Sequence, residues 1–336
     1  MKTLLKTLCD ASGAAGYTAV IDTLKTLVQP LADDMHVDAL GSLLAVRRCG
    51  RDNAPLLLLE AHVDEIGFVV TRVDDDGFVH VANCGGIDRR VLAASEVVLL
   101  GEREVSGVFC STPPHLSDGD DKLRPLDEMG IDVGLPAEKV KRLIPVGTRG
   151  VFRANFAALS DHLVTSKALD DRAGCAAVVR AMQLLKEETL SCDVAALFAV
   201  QEEIGGGGAT VAAFSVEPTA AIVTDVSFAK TPDAPAHKCG ELGKGAMLGV
   251  APGLAQAWTA QLLALANAHD IPFQYEVMGA TTGTDADSIA YTRSGVPTAL
   301  LSIPQRYMHT PVEVVDVRDV EAVAAWMATA AKEATF

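Results

Sequence analysis

Residues 193–208 read DVAALFAVQEEIGGGG, an apolar run that ends in two adjacent glutamates and four glycines. The apolar part, Val194 to Val200, is continuous rather than alternating, which is typical of a central strand covered by helices on both faces. Neighbouring side chains on a strand point to opposite faces, so Glu202 and Glu203 can share one site only if the chain leaves strand geometry there, which glycines permit. Two acids at a buried sheet edge become tolerable beside cations, so the stretch predicts a metal site.

The composition indicates a cytoplasmic α/β enzyme. The 336 residues, 49% of them apolar and 5% aromatic, suit one large core with a second, smaller domain. A formal net charge of −16 argues against nucleic-acid and acidic-membrane partners. The seven cysteines are scattered without a Cys-x-x-Cys pair, which predicts reduced thiols rather than a disulfide framework. No apolar run approaches the roughly 18 residues of a membrane span, so no membrane partner is expected.

Strand patterning predicts an inserted domain. Apolar strands and helical segments occupy residues 1–66 and 161–336, whereas residues 67–160 contain short alternating strands separated by turn signals. The sequence DDDG at 74–77 lacks the alternate ligand positions of a calcium loop and predicts a hairpin turn. Residues 113–115 and 118–121 are predicted to be exposed loop.

Potential metal ligands recur at the ends of the predicted strands. His62 follows one strand, Asp225 another, His309 lies beyond a third, and Asp170 begins a helix. Each alone has a commoner structural role as a cap or a buried hydrogen-bonded group. Because ligands bind at the carboxyl ends of strands in open α/β sheets, we expect these residues to meet near the glutamate pair. Histidine and carboxylate ligands without cysteine favour a catalytic site for zinc or a similar divalent ion.

The spacing of these residues suggests their roles. Asp64, two residues after His62, can accept a hydrogen bond from the imidazole nitrogen that does not bind metal. One carboxylate such as Asp170 can bridge two ions. Either Glu202 or Glu203 is then free to act as a general base, so the predicted chemistry is metal-assisted hydrolysis.

Several motifs together resemble the tetrahedral (TET) aminopeptidases, a dinuclear metallopeptidase family also labelled glutamyl aminopeptidase or endoglucanase M. The motifs are AHVDEIGF (61–68), KALDDR (167–172), QEEIG (201–205), GTDA (283–286) and TRSGVP (292–297) through MHTPVE (308–313). The resemblance covers nearly the whole chain. It implies a three-layer α/β/α, zinc-peptidase-like catalytic domain with a mixed sheet, and an inserted β-barrel-like (PDZ-like) domain that mediates dimerisation.

The resemblance also implies an activity and a set of site residues. The implied roles are one ion held by His62 and Asp225, a second held by Glu203 and His309, Asp170 bridging both, Glu202 as the general base and Asp64 supporting His62. It further implies a cis peptide bond between Asp170 and Asp171. Each subunit would carry two divalent ions, with zinc the first choice and cobalt or manganese also accepted. A homododecamer built from dimers would remove N-terminal residues from short peptides.

Other functions are compatible with parts of this pattern. A deacylase or carboxypeptidase acting on N-acyl amino acids would use the same centre but would not require a free α-amine. A glycoside hydrolase needs two carboxylates and no metal, which leaves five candidate ligands unexplained. A non-catalytic assembly protein would keep ligands for folding but has no need of Glu202. The preference for acidic, neutral or basic side chains stays open, since Arg306 either receives an acidic substrate or forms a structural ion pair.

Overall fold

A computed structural model describes residues 1–17, 19–116 and 123–336 of the chain, so the loop predicted at 118–121 lies outside the described residues. Within those ranges the helices are α1 (Lys2–Asp10), α2 (Ala19–Val28), α3 (Ala137–Leu143), α4 (Leu169–Leu185), α5 (Gly207–Val216), α6 (Gln256–Ala268), α7 (Asp285–Ala290) and α8 (Val317–Glu333). The strands are β1 (Asp34–Val37), β2 (Leu43–Arg47), β3 (Leu56–His62), β4 (Gly67–Val73), β5 (Val79–Cys84), β6 (Glu96–Leu100), β7 (Glu104–Phe109), β8 (Ile131–Asp132), β9 (Arg149–Phe152), β10 (Ala157–Ala158), β11 (Leu163–Ser166), β12 (Asp193–Ala199), β13 (Ala220–Phe228), β14 (Ala246–Val250), β15 (Phe273–Val277), β16 (Thr298–Arg306) and β17 (Glu313–Asp316).

A mixed sheet forms the centre of the molecule. Its strand order is β1-β2-β12-β3-β13-β16-β17-β11-β10, with β14 paired to β16 and β15 paired to β14. The central strands β12, β3, β13 and β16 run parallel to one another, while β2 and β17 join them antiparallel. The carboxyl ends of the four parallel strands therefore lie along one edge of the sheet, where the motifs predict the site.

Helices cover both faces of this sheet. Along β12, Val194 and Phe198 pack into the apolar cluster that includes α4 and α8, whereas Ala195 and Leu197 pack into the cluster that includes α5 and α7. Every residue of β12 is buried. Burial of one large apolar side chain stabilises the fold by about 1.5–3 kcal/mol. Because helices cover both faces of β12, side chains on both faces are buried, which explains the continuous apolar run in the sequence. The predicted three-layer α/β/α arrangement is confirmed.

The chain between β3 and β10 forms a closed barrel, β4-β5-β8-β7-β6-β9, with antiparallel pairing throughout. In its interior Phe68 packs edge to face on Phe109 and Phe152, with ring centroids 5.1 and 5.4 Å away. The predicted β-barrel is confirmed, and so is the hairpin turn, where Phe78 N donates to Asp74 Oδ1 over 2.8 Å between β4 and β5. At β10 the chain has already returned to the central sheet.

Some local structure differs from the prediction. The apolar residues between 39 and 46 predict a strand over that whole range, but β2 begins only at Leu43. The Asp38 carboxylate accepts hydrogen bonds from the backbone N–H groups of Leu40, Gly41 and Ser42, which holds these residues in a turn. The strands β14 and β15 were not predicted at all. In the described ranges, no helix combines the length and apolar character needed to cross a bilayer.

Candidate metal centre

The predicted site residues converge at the carboxyl edge of the parallel strands. His62 is the last residue of β3, Glu202 and Glu203 follow β12, and Asp225 lies within β13. His309 follows β16, and Asp170 lies in the first turn of α4. Parallel pairing of β3, β13 and β16 thereby brings His62 and His309, more than 240 positions apart in the chain, to the same edge of the sheet.

Asp170 contacts both histidines through different oxygen atoms. Its Oδ1 lies 3.0 Å from His62 Nε2, and its Oδ2 lies 3.1 Å from His309 Nε2. A further acid lies near the same nitrogen of each ring: Asp225 Oδ1 is 3.8 Å from His62 Nε2, and Glu203 Oε1 is 3.5 Å from His309 Nε2. The site thus consists of two clusters joined by the Asp170 carboxylate.

The donor atoms of both clusters fit divalent metal ions. One group consists of His62, Asp171 and Asp225 and the other of Asp170, Glu203 and His309, with all ligand atoms of a group within 4.8 Å of one another. Asp171 Oδ2 and Glu203 Oε1 are buried without a hydrogen-bond partner among the described residues. Buried carboxylate oxygens left unpaired are costly, and coordination of a cation removes that cost. The Asp170–Asp171 peptide bond is cis, as the resemblance implies.

Asp64 contacts both the imidazole of His62 and the glutamate pair. His62 Nδ1 lies 3.0 Å from the backbone oxygen of Asp64 and 3.7 Å from its carboxylate Oδ1, so the ring N–H donates to the backbone. This tautomer directs the Nε2 lone pair of His62 into the site. The Asp64 carboxylate instead accepts the backbone N–H groups of Glu202, at 3.1 Å, and Glu203, at 3.3 Å. The acid thus ties the turn after β12 to the end of β3.

The turn after β12 depends on residues with positive φ. Gln201 has φ +68°, Gly205 φ +121° and Gly206 φ +71°. Gly206 is favoured because a side chain would be strained at this positive φ and a Cβ atom would lie 2.6 Å from Ser288 Oγ. The chain therefore leaves strand geometry where the sequence predicts, and both Glu202 and Glu203 line the same cavity.

Burial and mutual charge perturb the titration of the site in the absence of metal. Burial alone would lower the pKa of His309, but the hydrogen bond to Asp170 and the charge of Glu203 raise it to about 9. Burial raises the pKa of Glu203 to about 8, and the charge of Asp170 adds to this effect. Burial also raises the pKa of Glu202. At neutral pH a cation must therefore displace protons from the cluster of His309 and Glu203, so metal binding releases protons.

Sequence reasoning gave no role to several buried acids beside the site. Asp171 is one of them, and its place next to Asp170 in the chain was the only signal. Glu60 stands inside the apolar run of β3, where a charge is unexpected, and is fully buried. It faces Asp285, whose pKa burial raises to about 7. A charged residue within a continuous apolar strand was the signal that could have drawn attention to this pair.

Glu313 is the fourth such acid and fixes the backbone of two candidate ligands. It is 1% exposed at the start of β17. Its Oε1 accepts the backbone N–H of His309 over 2.9 Å, and its Oε2 accepts the backbone N–H of Asp170 over 3.1 Å. One carboxylate therefore sets the separation of residues that belong to distant parts of the sequence.

We expect Glu313→Gln to weaken metal binding about 10- to 100-fold, as loss of a residue that orients ligands typically does. The glutamine amide has nearly the same size but cannot accept a hydrogen bond through its NH₂ group, so one backbone N–H loses its partner. Competition with a chromophoric chelator measures the affinity, and circular dichroism checks the fold. Glu104→Gln, on an exposed part of β7, is the matched control. Unchanged affinity in Glu313→Gln would show that the carboxylate does not position the ligands.

An α/β/α domain that gathers histidines and carboxylates into two clusters beside a cavity at the carboxyl edge of its sheet defines a metal-dependent hydrolase. The chain belongs to the M42 glutamyl aminopeptidase family, whose model matches residues 41–325. It is accordingly a hydrolase of the aminopeptidase class.

Similar proteins share both sequence and fold with the chain over nearly its full length. The lysyl aminopeptidase of Pyrococcus furiosus is 36% identical over 327 residues, which is 95% of this chain and 93% of that protein. An aminopeptidase from the archaeon Desulfurococcus kamchatkensis is 33% identical with a TM-score of 0.93, covering 99% of this chain and 95% of that one. The TET1 peptidase of Pyrococcus horikoshii is 29% identical with a TM-score of 0.87, and the match covers 98% of this chain and 99% of that one. The resemblance to the TET peptidases predicted from the motifs is confirmed.

Proposed function

We propose that the protein removes N-terminal residues from short peptides with the help of two divalent metal ions. The observation that carries the proposal is the position of Asp170, whose two oxygens reach His62 and His309 separately. A carboxylate in that position suits two neighbouring ions. His62 and Asp225 would hold one ion and Glu203 and His309 the other. Zinc suits these ligands best, and cobalt or manganese accepts the same set.

Glu202 is the proposed general base. It lines the cavity but belongs to neither ligand cluster, and among the described residues neither imidazole lies within ion-pair distance of it. Bound metal ions would supply Lewis-acid polarisation of the scissile carbonyl. The Glu202 carboxylate then accepts a proton from the attacking water and donates it to the leaving amine. The Asp64 carboxylate keeps Glu202 in place by accepting a hydrogen bond from the backbone N–H of Glu202.

The test is release of free amino acids from a panel of peptides, each with and without an N-terminal acetyl group, using metal-loaded protein. We expect stepwise release from free N-termini and no cleavage of acetylated peptides. Chelation should abolish the release, and added metal should restore it. Cleavage confined to acetylated substrates would instead identify a deacylase or carboxypeptidase that uses the same centre.

The barrel is proposed to join subunits into dimers, with residues 67–160 as the inserted dimerisation domain and residues 1–66 and 161–336 as the catalytic domain. The TET1 peptidase of Pyrococcus horikoshii, which has the same fold, can assemble into a tetrahedron or a large octahedral shell. Val108 and Val146 are exposed apolar residues of this insert, at 42% and 70% exposure. Light scattering should give a homododecamer, a mass about twelve times the 35.2 kDa of one chain. A monomer at micromolar concentration would contradict this proposal.

A further inference from the structure

The cavity beside the two clusters extends beyond the candidate ligands. It has a volume of about 510 Å³ and is lined by the site residues at one end and by residues of β13, β15 and β16 at the other. Apolar side chains such as Met278 and Leu300 form part of its wall, and Glu276 contributes a carboxylate. This second end has no role in the proposed bond cleavage, so it is available for a substrate side chain.

Glu276 is held in a fixed position by two serines. It lies on β15, where its register partner on β14 is Gly249. Its Oε2 accepts a hydrogen bond from Ser302 Oγ over 2.6 Å, and its Oε1 accepts one from Ser227 Oγ. The carboxylate thus reaches across β14 toward β16 and β13. A Cβ atom at Gly249 would lie 3.0 Å from Leu300 Cβ in the cavity wall, so glycine allows β14 to lie close to β16 here.

The serines place this carboxylate close to the metal centre. Ser227 is two residues beyond Asp225 on β13, so both side chains lie on the same face, roughly 7 Å apart along the strand. Ser302 is the register partner of Asp225 on β16. Glu276 therefore lines the same cavity as the candidate ligands, within reach of the first side chain of a peptide whose scissile carbonyl lies at the two clusters. The four-carbon stem of lysine, or the longer side chain of arginine, suits this separation.

The Glu276 carboxylate has hydrogen-bond partners in the cavity but no ion-pair partner among the described residues. Among the described residues that line it there is no lysine or arginine, and the serine hydroxyls donate hydrogen bonds without supplying positive charge. Arg306, the sequence-based candidate for receiving an acidic side chain, donates from Nε to the backbone oxygen of Lys230 over 2.8 Å and does not line the cavity. An acidic side chain would be repelled by Glu276, and an apolar one would leave the carboxylate desolvated with only its two serine hydrogen bonds.

We propose that Glu276 selects substrates whose N-terminal residue is lysine or arginine. The inference rests on the proposed aminopeptidase function and adds its side-chain preference. The cationic head would form a charge-assisted hydrogen bond with Glu276, while the methylene stem packs along Met278 and Leu300.

The experiment compares kcat/KM for aminoacyl coumarylamides of lysine, arginine, methionine, leucine and glutamate, in the wild-type protein and in Glu276→Gln. Methionine is the critical neutral comparator because its side chain is unbranched but uncharged. We expect the wild type to favour lysine and arginine over methionine about tenfold or more, which is the strength of a hydrogen bond to a charged group. Glu276→Gln should lose about 10- to 100-fold on lysine and arginine and stay within about threefold on methionine and leucine. Ser302→Ala should give a smaller loss in the same direction.

The outcomes separate this inference from the function on which it rests. Release of methionine and leucine with no preference for lysine or arginine in the wild type would overturn the specificity and leave the aminopeptidase standing. An equal loss on all substrates in Glu276→Gln would show that the carboxylate binds the α-amine or supports the fold, which also overturns it. Failure to release any residue from substrates with a free amine would overturn both proposals. Glu241→Gln, an exposed glutamate, is the matched control.

Discussion

Replacing Glu202 by glutamine is expected to lower kcat by about 10² to 10⁴-fold, the usual contribution of a positioned general base. Glutamine keeps the size of the side chain and the backbone N–H that Asp64 accepts, but it cannot take a proton from water. KM should change little, because Glu202 is proposed to act on the proton rather than on substrate binding. Steady-state kinetics on a free-amine substrate measure the effect.

Metal content distinguishes this role from that of the neighbouring glutamate. Since Glu202 lies outside both ligand clusters, Glu202→Gln should retain its metal by elemental analysis. Glu203→Gln should lose both activity and metal affinity, because Glu203 is 3.5 Å from His309 within a cluster. Glu187→Gln, at an exposed position after α4, is the matched control and should behave as wild type. Loss of metal in Glu202→Gln would identify Glu202 as a ligand instead of a base.

The sequence contained enough information for the layers of the fold and for the location of the centre. A continuous apolar run such as that of β12 is required only where helices cover both faces, and a polar residue after such a run lies at the carboxyl edge of the sheet. Both patterns are local, so they can be read without knowledge of distant contacts. His62, Asp225 and the glutamate pair were found in this way.

Contacts that depend on long-range register could not be predicted in the same way. Glu276 meets Ser302 only because β14 lies between their strands, and neither β14 nor β15 was recognised from the sequence. Glu313 joins the backbone of Asp170 to that of His309, and no spacing rule relates those positions. The hydrogen bond from His62 to the backbone of Asp64 depends on local φ and ψ angles, which side-chain spacing does not specify.

A buried ion pair holds the segment that carries Asp170. Lys167 Nζ lies 2.8 Å from both carboxylate oxygens of Glu65, and both side chains are 2% exposed. The same carboxylate accepts the backbone N–H of Gly13 over 2.9 Å, and Arg172 Nη2 approaches it to 3.7 Å. Lys167 and Arg172 flank Asp170 in the chain, so Glu65 secures both ends of the turn that presents this acid to the two histidines.

Lys167→Met is expected to lower the free energy of unfolding by about 3 kcal/mol, at the lower end of the 3–5 kcal/mol for breaking a buried pair, because Arg172 still offsets part of the Glu65 charge. The double variant Glu65→Gln with Lys167→Met should recover part of that loss, since it also removes the buried Glu65 charge, while the buried Arg172 keeps its hydrogen bonds to the backbone oxygens of Leu8 and Ala11. Denaturant unfolding of the metal-free protein, with all variants at equal concentration, measures both changes. Lys141→Met is the matched control, because Lys141 pairs with Asp75 on the surface, where the two side chains are 42% and 102% exposed. Loss of this exposed pair should lower the free energy of unfolding by less than about 1 kcal/mol. A double variant at least as unstable as Lys167→Met alone would show that the buried charge of Glu65 does not account for the loss at this position.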